Sequence, residues 1–382
     1  MRCTKAVIYR ENIINNLMQV KSVLKPHTKI CVAVKADGYG TSALETAKIA
    51  SSLDIDYLAV ATVDEAKTLR ENGINLKILL LSLCSPEEFN DLFQYKITPL
   101  VFDLNFIEEL EKSANKNSLK DFDVFLAVDT GMGRIGCLKD EASFLAQKIA
   151  SSKVLKLSGM ITHFAVSDSI SKENIDYTNK QFLDFKYAID SVKEKGIDPG
   201  LCTCSSSAAA LAFPDFQLDM VRPGIIVYGY YPDEVSKQYL KSKKINVDFK
   251  PVMQFETQVV AIRHFKKGNS ISYGRQWICE KDTDIAVLPV GYADGLLRRN
   301  SPGLEVTING KLYPVCGRIC MDQCMVDIGL NNKDVKRWDK AIIFGPKDKG
   351  SLLDADDIAK KTHTISYEVM TSVSSRVKRY II

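Results

Sequence analysis

Polar side chains that could do chemistry follow several apolar runs of the sequence. Lys35 and Tyr39 stand in CVAVKADGYG, directly after an apolar, β-branched run. Arg134 lies in the glycine-rich segment DTGMGRIG, while His163, one of four histidines, and Arg222 each follow a further apolar run. Each residue alone is better explained as a packed or solvated side chain. Because they stand at corresponding ends of apolar runs, the set as a whole predicts one active site.

These residue types indicate a particular cofactor. A lysine held in a desolvated pocket loses its proton more easily and can form a Schiff base. The segment SSSAAA (205–210) offers hydroxyl and backbone N–H groups at the start of a predicted helix, which is typical of a phosphate site. Glycines beside Tyr39 let the backbone approach a flat ring. A reactive amine together with a phosphate cradle predicts pyridoxal 5'-phosphate.

The elements that position these residues alternate over the first 240 or so residues. Apolar, β-rich runs are mostly separated by charged stretches of helical periodicity, such as VDEAKTLRENG. This alternation predicts a parallel sheet, and eight strands close a (β/α)8 barrel of the TIM type, with its active site at the carboxyl ends of the strands. The eight runs lie near 30–35, 57–62, 77–82, 97–102, 123–128, 156–163, 200–204 and 218–222.

The pattern changes after about residue 244. Strand-like segments with turn residues between them predominate, and helical periodicity is scarce until 352–361. We therefore predict an α/β plus β protein, with a barrel over 10–243 and a mostly β domain over 244–382. The strand candidates of this second part are 252–265, 284–290, 304–310, 311–317 and 341–345.

Composition argues against several other classes of protein. The 51 lysines and arginines exceed the 47 acidic residues by only four, so charge gives no support for binding nucleic acid or membranes. No apolar stretch approaches the ~18 residues that cross a bilayer. The first residues carry too many charges for a secretory signal, which favours the cytoplasm. Ten cysteines are then expected to be free thiols, because their spacings match no common zinc site, and we expect no metal.

The segment VKADGYG resembles the cofactor-lysine signature of alanine racemases, which are fold-type-III pyridoxal phosphate enzymes. VDTGMGRIG, ITHFA, VRPGI, ISYG, VGYADG, GRICMDQ and ISYEV follow in the order of that family, over essentially the whole chain. The resemblance implies a homodimer with its active sites at the subunit interface. It also implies that the enzyme interconverts L-alanine and D-alanine for peptidoglycan synthesis, and that residues 1–9 join the β domain as an extra strand.

The resemblance also implies a role for each matching residue. Lys35 and Tyr273 would be the two catalytic groups on opposite faces of the substrate α-carbon, with Tyr273 supplied by the partner subunit. Arg134 and the backbone N–H of Met321 would bind the substrate carboxylate. The cofactor would be bound by Lys35, Tyr39, His163, Ser207, Arg222, Gly224, Ile225 and Tyr367, and the corridor to the site would be lined by Asp168, Tyr292, Arg298, Arg318 and Tyr367.

Two positions bear on reaction and substrate. Arg222 would face the pyridine nitrogen of the cofactor, and an arginine does not readily give up its proton, which favours racemisation over transamination. Well-known relatives carry a carbamylated lysine where this chain has Ala127, so we expect another acceptor or a bound anion to position Arg134. The open alternatives are a racemase of serine or of a broader set of amino acids, which Tyr367 disfavours, and a cofactor carrier without turnover.

Overall fold

Parallel strands form a closed barrel around the predicted site. The structure is a computed structural model that describes residues 2–301 and 303–382. Its first strand, β1, precedes the barrel, and β2–β10 build the barrel itself. These strands are β1 (Lys5–Ile8), β2 (Lys29–Ala33), β3 (Tyr57–Val60), β4 (Lys77–Leu80), β5 (Ile97–Thr98), β6 (Leu100–Val101), β7 (Phe122–Ala127), β8 (Leu155–Ile161), β9 (Leu201–Thr203) and β10 (Met220–Val221).

Two sheets meet at two seams to close this barrel. One has the order β10-β2-β3-β4-β5 and the other β6-β7-β8-β9. At the first seam the chain passes from β5 to β6 through Pro99, whose carbonyl accepts the N–H of Phe125 at 3.0 Å. At the second, Arg222 N–H donates to the carbonyl of Ser205 at 2.8 Å. Every residue of β3 is buried, as expected for strands that are covered on both faces.

Helices connect the strands of the barrel and cover its outer face. Several begin with a side-chain cap: in the helix Val63–Glu71, the Thr62 hydroxyl and the Glu65 carboxylate form a reciprocal capping box. The helical segments are α1 (Arg10–Ser22), α2 (Lys35–Tyr39), α3 (Ala43–Ser52), α4 (Val63–Glu71), α5 (Phe89–Gln94), α6 (Leu104–Lys116), α7 (Ala142–Ser151), α8 (Lys172–Glu194), α9 (Ser207–Ala212) and α10 (Lys237–Ser242).

The second part of the chain is mostly β. Its elements are β11 (Met253–Gln258), β12 (Ala261–Phe265), β13 (Ser270–Ile271), β14 (Trp277–Ile278), β15 (Thr283–Leu288), β16 (Glu305–Ile308), β17 (Lys311–Cys316), β18 (Cys324–Asp327), β19 (Lys340–Phe344), α11 (Ala355–Lys361), α12 (Ser366–Thr371) and β20 (Lys378–Ile381). A nine-stranded sheet has the order β12-β15-β18-β17-β16-β19-β11-β1-β20, while β13 and β14 form a separate hairpin. In that sheet β1 pairs with β11 and β20.

The predicted fold class is confirmed, with corrections to single elements. The run 97–102 is not one strand, because Pro99 has no N–H to continue a ladder and separates β5 from β6. The run 252–265 likewise divides into β11 and β12. The strands β13, β14, β18 and β20 and the helix α12 were not predicted. The boundary between 243 and 244 stays a prediction. None of the helices within 2–301 and 303–382 is long and apolar enough to cross a bilayer.

Candidate active site

A cavity of about 790 Å³ opens at the carboxyl ends of the barrel strands. Loops after these strands supply most of its walls, and α12 from the β domain closes one side with Tyr367, Glu368 and Thr371. Of the residues singled out in the sequence, those that line this cavity are Lys35, Tyr39, Arg134, His163, Asp168, Ser207, Arg222, Gly224, Ile225 and Tyr367.

Lys35 lies two residues beyond the last residue of β2, and its side chain is partly buried. Burial lowers the pKa of this amine below 10.5, because the low-dielectric surroundings disfavour the ammonium. The cations Arg134 and Arg222 lower this pKa further, whereas the carboxylate of Glu65 opposes them. The arrangement therefore leaves a larger fraction of Lys35 as the neutral, nucleophilic amine than a surface lysine has at the same pH.

The chain leaves Lys35 through a left-handed turn. Ala36, Asp37 and Tyr39 have φ values of 52°, 50° and 55°, and Gly38 lies between them. For residues other than glycine, each such conformation costs roughly 1–2 kcal/mol. Contacts hold the turn: Asp37 accepts the N–H of Ala43 at 2.9 Å, and the side chain of Arg379 donates to the carbonyl of Gly40 at 3.0 Å. This strained turn carries Lys35 and Tyr39 to the same cavity.

Tyr39, Ser207 and Gly224 form a cradle on one wall. The Tyr39 ring stacks on Tyr228 with centroids 4.7 Å apart. A Cβ at position 224 would lie 2.4 Å from the Tyr39 hydroxyl oxygen, so any other residue there would have to displace the phenol. The N–H of Gly224 donates to the Ser207 hydroxyl at 2.8 Å, and Ile225 begins a 3₁₀ turn, where a backbone N–H has no partner inside the turn. Burial raises the pKa of Tyr39 to about 12, which keeps its phenol a donor.

Arg222 is a buried cation held by neutral oxygen atoms. Its guanidinium donates to the Thr203 hydroxyl at 2.6 Å and to the Thr162 carbonyl at 2.7 Å. Burial lowers its pKa to about 10, which leaves it protonated at neutral pH. The same guanidinium lies 3.5 Å from Nδ1 of His163, whose pKa burial and the neighbouring cations lower to about 3. His163 is therefore neutral, and its Nδ1 serves as the acceptor of this contact.

Arg134 faces the cavity from the loop that follows β7. The Asp129 carboxylate fixes that loop by accepting the N–H groups of Gly131, Met132 and Gly133 at 2.9–3.2 Å. Within residues 2–301 and 303–382, no carboxylate lies within ion-pair distance of Arg134. Ala127 lines the cavity but offers no acceptor. The expected protein brace for Arg134 is thus not found there, and positioning by an anion stays a prediction.

Five predicted site residues lie away from this cavity, on the β domain. Tyr273 is 67% exposed and Met321 52% exposed. They belong to one surface: Ser272 bonds the carbonyl of Arg318, and the N–H of Tyr292 donates to the carbonyl of Cys320, next to Met321. Arg298 also lies in this domain and is exposed. A single chain therefore does not bring Tyr273, Tyr292, Arg298, Arg318 and Met321 to its own Lys35.

Comparisons with known proteins agree with this architecture. The model of the alanine racemase N-terminal domain matches residues 8–232, and that of the alanine racemase C-terminal domain matches residues 252–381. The chain belongs to the alanine racemase family. Its relatives in this family include alanine racemases of Treponema denticola, 46% identical over 100% of this chain and 99% of that protein, and of Treponema pallidum, 38% identical over the full length of both.

Solved structures of the family superimpose on the whole chain. An alanine racemase of Clostridium difficile 630 has a TM-score of 0.91 at 37% identity and covers 100% of this chain and 96% of its own. The alanine racemase of Bacillus anthracis with bound L-Ala-P has a TM-score of 0.91 at 32% identity, covering 100% and 95%. The predicted membership of this family, and with it an isomerase, is confirmed.

Several residues of the site were not found from the sequence. Thr162 and Thr203 are buried acceptors of Arg222, and Asp129 fixes the loop of Arg134. A threonine at a strand end is common, so no signal in the sequence distinguished these two. Glu65 accepts the N–H of Ala36, beside the lysine. The capping-box spacing T-x-x-E predicts its place at a helix start but not its reach to a neighbouring strand.

Proposed function

We propose that this chain interconverts L-alanine and D-alanine with pyridoxal 5'-phosphate held in the cavity at the barrel mouth. The observation that carries the proposal is the convergence of the Lys35 amine, the Arg222 guanidinium and the cradle of Tyr39, Ser207 and Gly224 on that cavity. Family membership supports the same reaction, since the relatives compared above are alanine racemases.

The residues present fit this cofactor. A phosphate dianion needs hydrogen-bond donors, and the cavity offers the hydroxyls of Tyr39, Ser207 and Tyr367 together with backbone N–H groups. Because position 224 has no Cβ, the Tyr39 phenol can lie directly against the backbone of the cradle. Tyr39, Ser207, Tyr367 and the backbone of Gly224 and Ile225 would hold the phosphate, and Lys35 would hold the cofactor covalently.

The chain's own residues control where protons go. When bound, pyridoxal phosphate withdraws electrons from the α-carbon of an amino acid and makes its hydrogen acidic. Lys35 accepts or returns that proton at its Nζ on one face, since its lowered pKa makes the neutral amine accessible. Arg222 remains protonated at neutral pH, because a guanidinium gives up its proton only at high pH. It therefore does not protonate the ring nitrogen of the cofactor. Arg134 orients the substrate by binding the carboxylate of the amino acid.

The opposite face requires a second acid–base group, which we assign to Tyr273 of the partner subunit. In its own chain Tyr273 is exposed on the β domain, with Tyr292 and Met321 on the same surface. A two-fold dimer that docks this surface on the mouth of the partner's barrel would complete both sites and cover these exposed side chains. Asp168, Arg298 and Arg318 are then expected to line the corridor to the site with Tyr292 and Tyr367.

We further propose that the enzyme works in the cytoplasm and supplies D-alanine for peptidoglycan. All ten cysteines of the chain are free, and seven of them are buried, which fits a reducing compartment. Burial raises the pKa of several of these thiols to about 12, for example those of Cys31 and Cys204, so they act as small apolar side chains.

A panel assay tests the reaction and the substrate. Purified full-length protein with pyridoxal phosphate is incubated in D₂O with L-alanine or L-serine, and the D-isomer and the deuterium at the α-carbon are measured by chiral chromatography and mass spectrometry. We expect kcat/KM for alanine to exceed that for serine by at least about 10-fold. A preference for serine would overturn the substrate assignment. Cofactor binding without deuterium at the α-carbon would favour a carrier without turnover.

A further inference from the structure

The carboxylate of Glu65 joins the ends of two barrel strands. Its Oε1 accepts the N–H of Ala36 at 2.7 Å, three residues beyond the end of β2, and its Oε2 accepts the N–H of Ala61 at 2.8 Å, directly after β3. The hydroxyl of Thr62 accepts the N–H of Glu65 at 3.2 Å, which fixes the start of α4. One side chain therefore caps a helix and also ties the residue after Lys35 to the neighbouring strand.

This tie acts where the backbone is strained. Ala36 is the first residue of the left-handed turn, with φ 52° and ψ 49°. The N–H groups at the start of such a turn have no partner inside it, and the carboxylate satisfies this one. Without the tie, the peptide between Lys35 and Ala36 could relax towards the right-handed region that alanine prefers, and the lysine side chain would change its direction.

Glu65 also adds negative charge beside an otherwise cationic group of side chains. Its carboxylate raises the pKa of Lys35, in opposition to burial, Arg134 and Arg222. His163 is neutral and contributes no charge. The titratable and charged groups that face Lys35 from the packed elements are Arg134, Glu65, Arg222 and His163.

We propose that Glu65 is a positioning residue for Lys35, one that both fixes the backbone aiming the amine into the cavity and supplies a counter-charge to it. The inference rests on the proposed function only in assigning Lys35 to the reaction. The protonation of the Lys35 amine can be measured without turnover.

The direct test compares the titration of Lys35 in the parent and in Glu65→Gln. Full-length cofactor-free protein is labelled with trinitrobenzenesulfonate over a range of pH, and modification of Lys35 is followed by peptide mass spectrometry, since only the neutral amine reacts. Glutamine keeps one oxygen acceptor but loses the charge. We expect the midpoint to fall by roughly 1 pH unit, the size of effect that a nearby opposite charge has. The pH titration of the visible absorbance of the cofactor-loaded enzyme should shift in the same direction.

Glu88→Gln is the matched control. Glu88 also reaches back to the N–H of its helix-capping serine, Ser85, at 2.8 Å, but it is not among the charged groups that act on Lys35. Its loss should leave the Lys35 midpoint unchanged. Equal midpoints in the parent, Glu65→Gln and Glu88→Gln would overturn the proposal. A shifted midpoint in a protein that racemises nothing would instead count against the proposed function alone.

A second variant, Glu65→Asp, provides the test if Glu65→Gln does not fold. Glu65→Asp retains the charge but is too short to reach both Ala36 and Ala61. We expect a midpoint near that of the parent and a rate of cofactor release about 10-fold higher, because the lysine is less well aimed. Parent-like release from Glu65→Asp would refute the backbone tie.

Discussion

The guanidinium of Arg222 donates a 2.6 Å hydrogen bond to the hydroxyl of Thr203, the last residue of β9. The pair is buried, and within residues 2–301 and 303–382 no carboxylate lies within ion-pair distance of the guanidinium. Neutral oxygen atoms accept hydrogen bonds from the guanidinium and place no carboxylic acid beside it that could protonate a ligand. The threonine is thus part of what keeps Arg222 both protonated and correctly directed.

Thr203→Val should destabilise the protein by about 1–3 kcal/mol, because it leaves a donor of a buried cation without its acceptor while conserving volume. Denaturant unfolding measures this change. Thr98→Val, at another buried strand threonine that does not contact Arg222, should cost less. Equal stabilities of the parent and Thr203→Val would show that the hydrogen bond contributes nothing net.

Lys35→Met should abolish racemisation and raise the thermal stability of the cofactor-free protein at neutral pH. The pKa of Lys35 in the folded protein lies below 10.5, so the native state binds this proton more weakly than the unfolded chain does. The resulting destabilisation is complete below the native pKa and disappears as the pH rises to 10.5. The Tm gain of Lys35→Met should therefore shrink as the pH is raised.

The control for that measurement is Lys148→Met, at an exposed lysine of α7. Because Lys148 is exposed, its replacement should not give the gain in Tm expected of Lys35→Met. A Tm of Lys35→Met below that of the parent at pH 7 would contradict the lowered pKa of Lys35.

Gly224→Ala should displace the Tyr39 phenol, since the added Cβ would lie 2.4 Å from its oxygen. We expect a loss of about 1–3 kcal/mol in stability and weaker binding of pyridoxal phosphate, measured by unfolding and by fluorescence titration. Tyr39→Phe removes the clashing oxygen, so the cost of Gly224→Ala should be smaller in that background. Additive costs in the double variant would argue that the two side chains do not compete for this space.

Two inactive variants should restore activity when they share a dimer. Tyr273→Phe and Lys35→Met should each lower kcat/KM by at least about 100-fold, because each removes one acid–base group. Subunits mixed after dissociation would form heterodimers in which one site has both groups intact. We expect about a quarter of the parent activity from an equal mixture, the statistical share of such sites in a two-fold dimer. No recovery in verified heterodimers would refute the assignment of Tyr273 to the partner's site.

The order of the elements and the identity of the family could be predicted from the sequence. Apolar runs that end in Lys35, His163 and Arg222 placed these residues at one mouth, because parallel strands of a barrel end together. Local effects were less predictable. Pro99 divides a run that reads as one strand, and the left-handed turn after Lys35 includes Ala36, a residue type that rarely adopts this conformation.

The chemical groups and the elements that carry them could be read from the amino-acid sequence, because hydrophobic periodicity and turn residues act over short distances along the chain. Which of these groups share a cavity depends on the tertiary structure. The fold places the ring centroids of Tyr39 and Tyr367, the latter on the distant helix α12, 5.9 Å apart. It also lets Glu65 accept the N–H of Ala36, and it leaves Tyr273 exposed on another surface. Such contacts depend on packing between segments far apart in the chain, which no local pattern encodes.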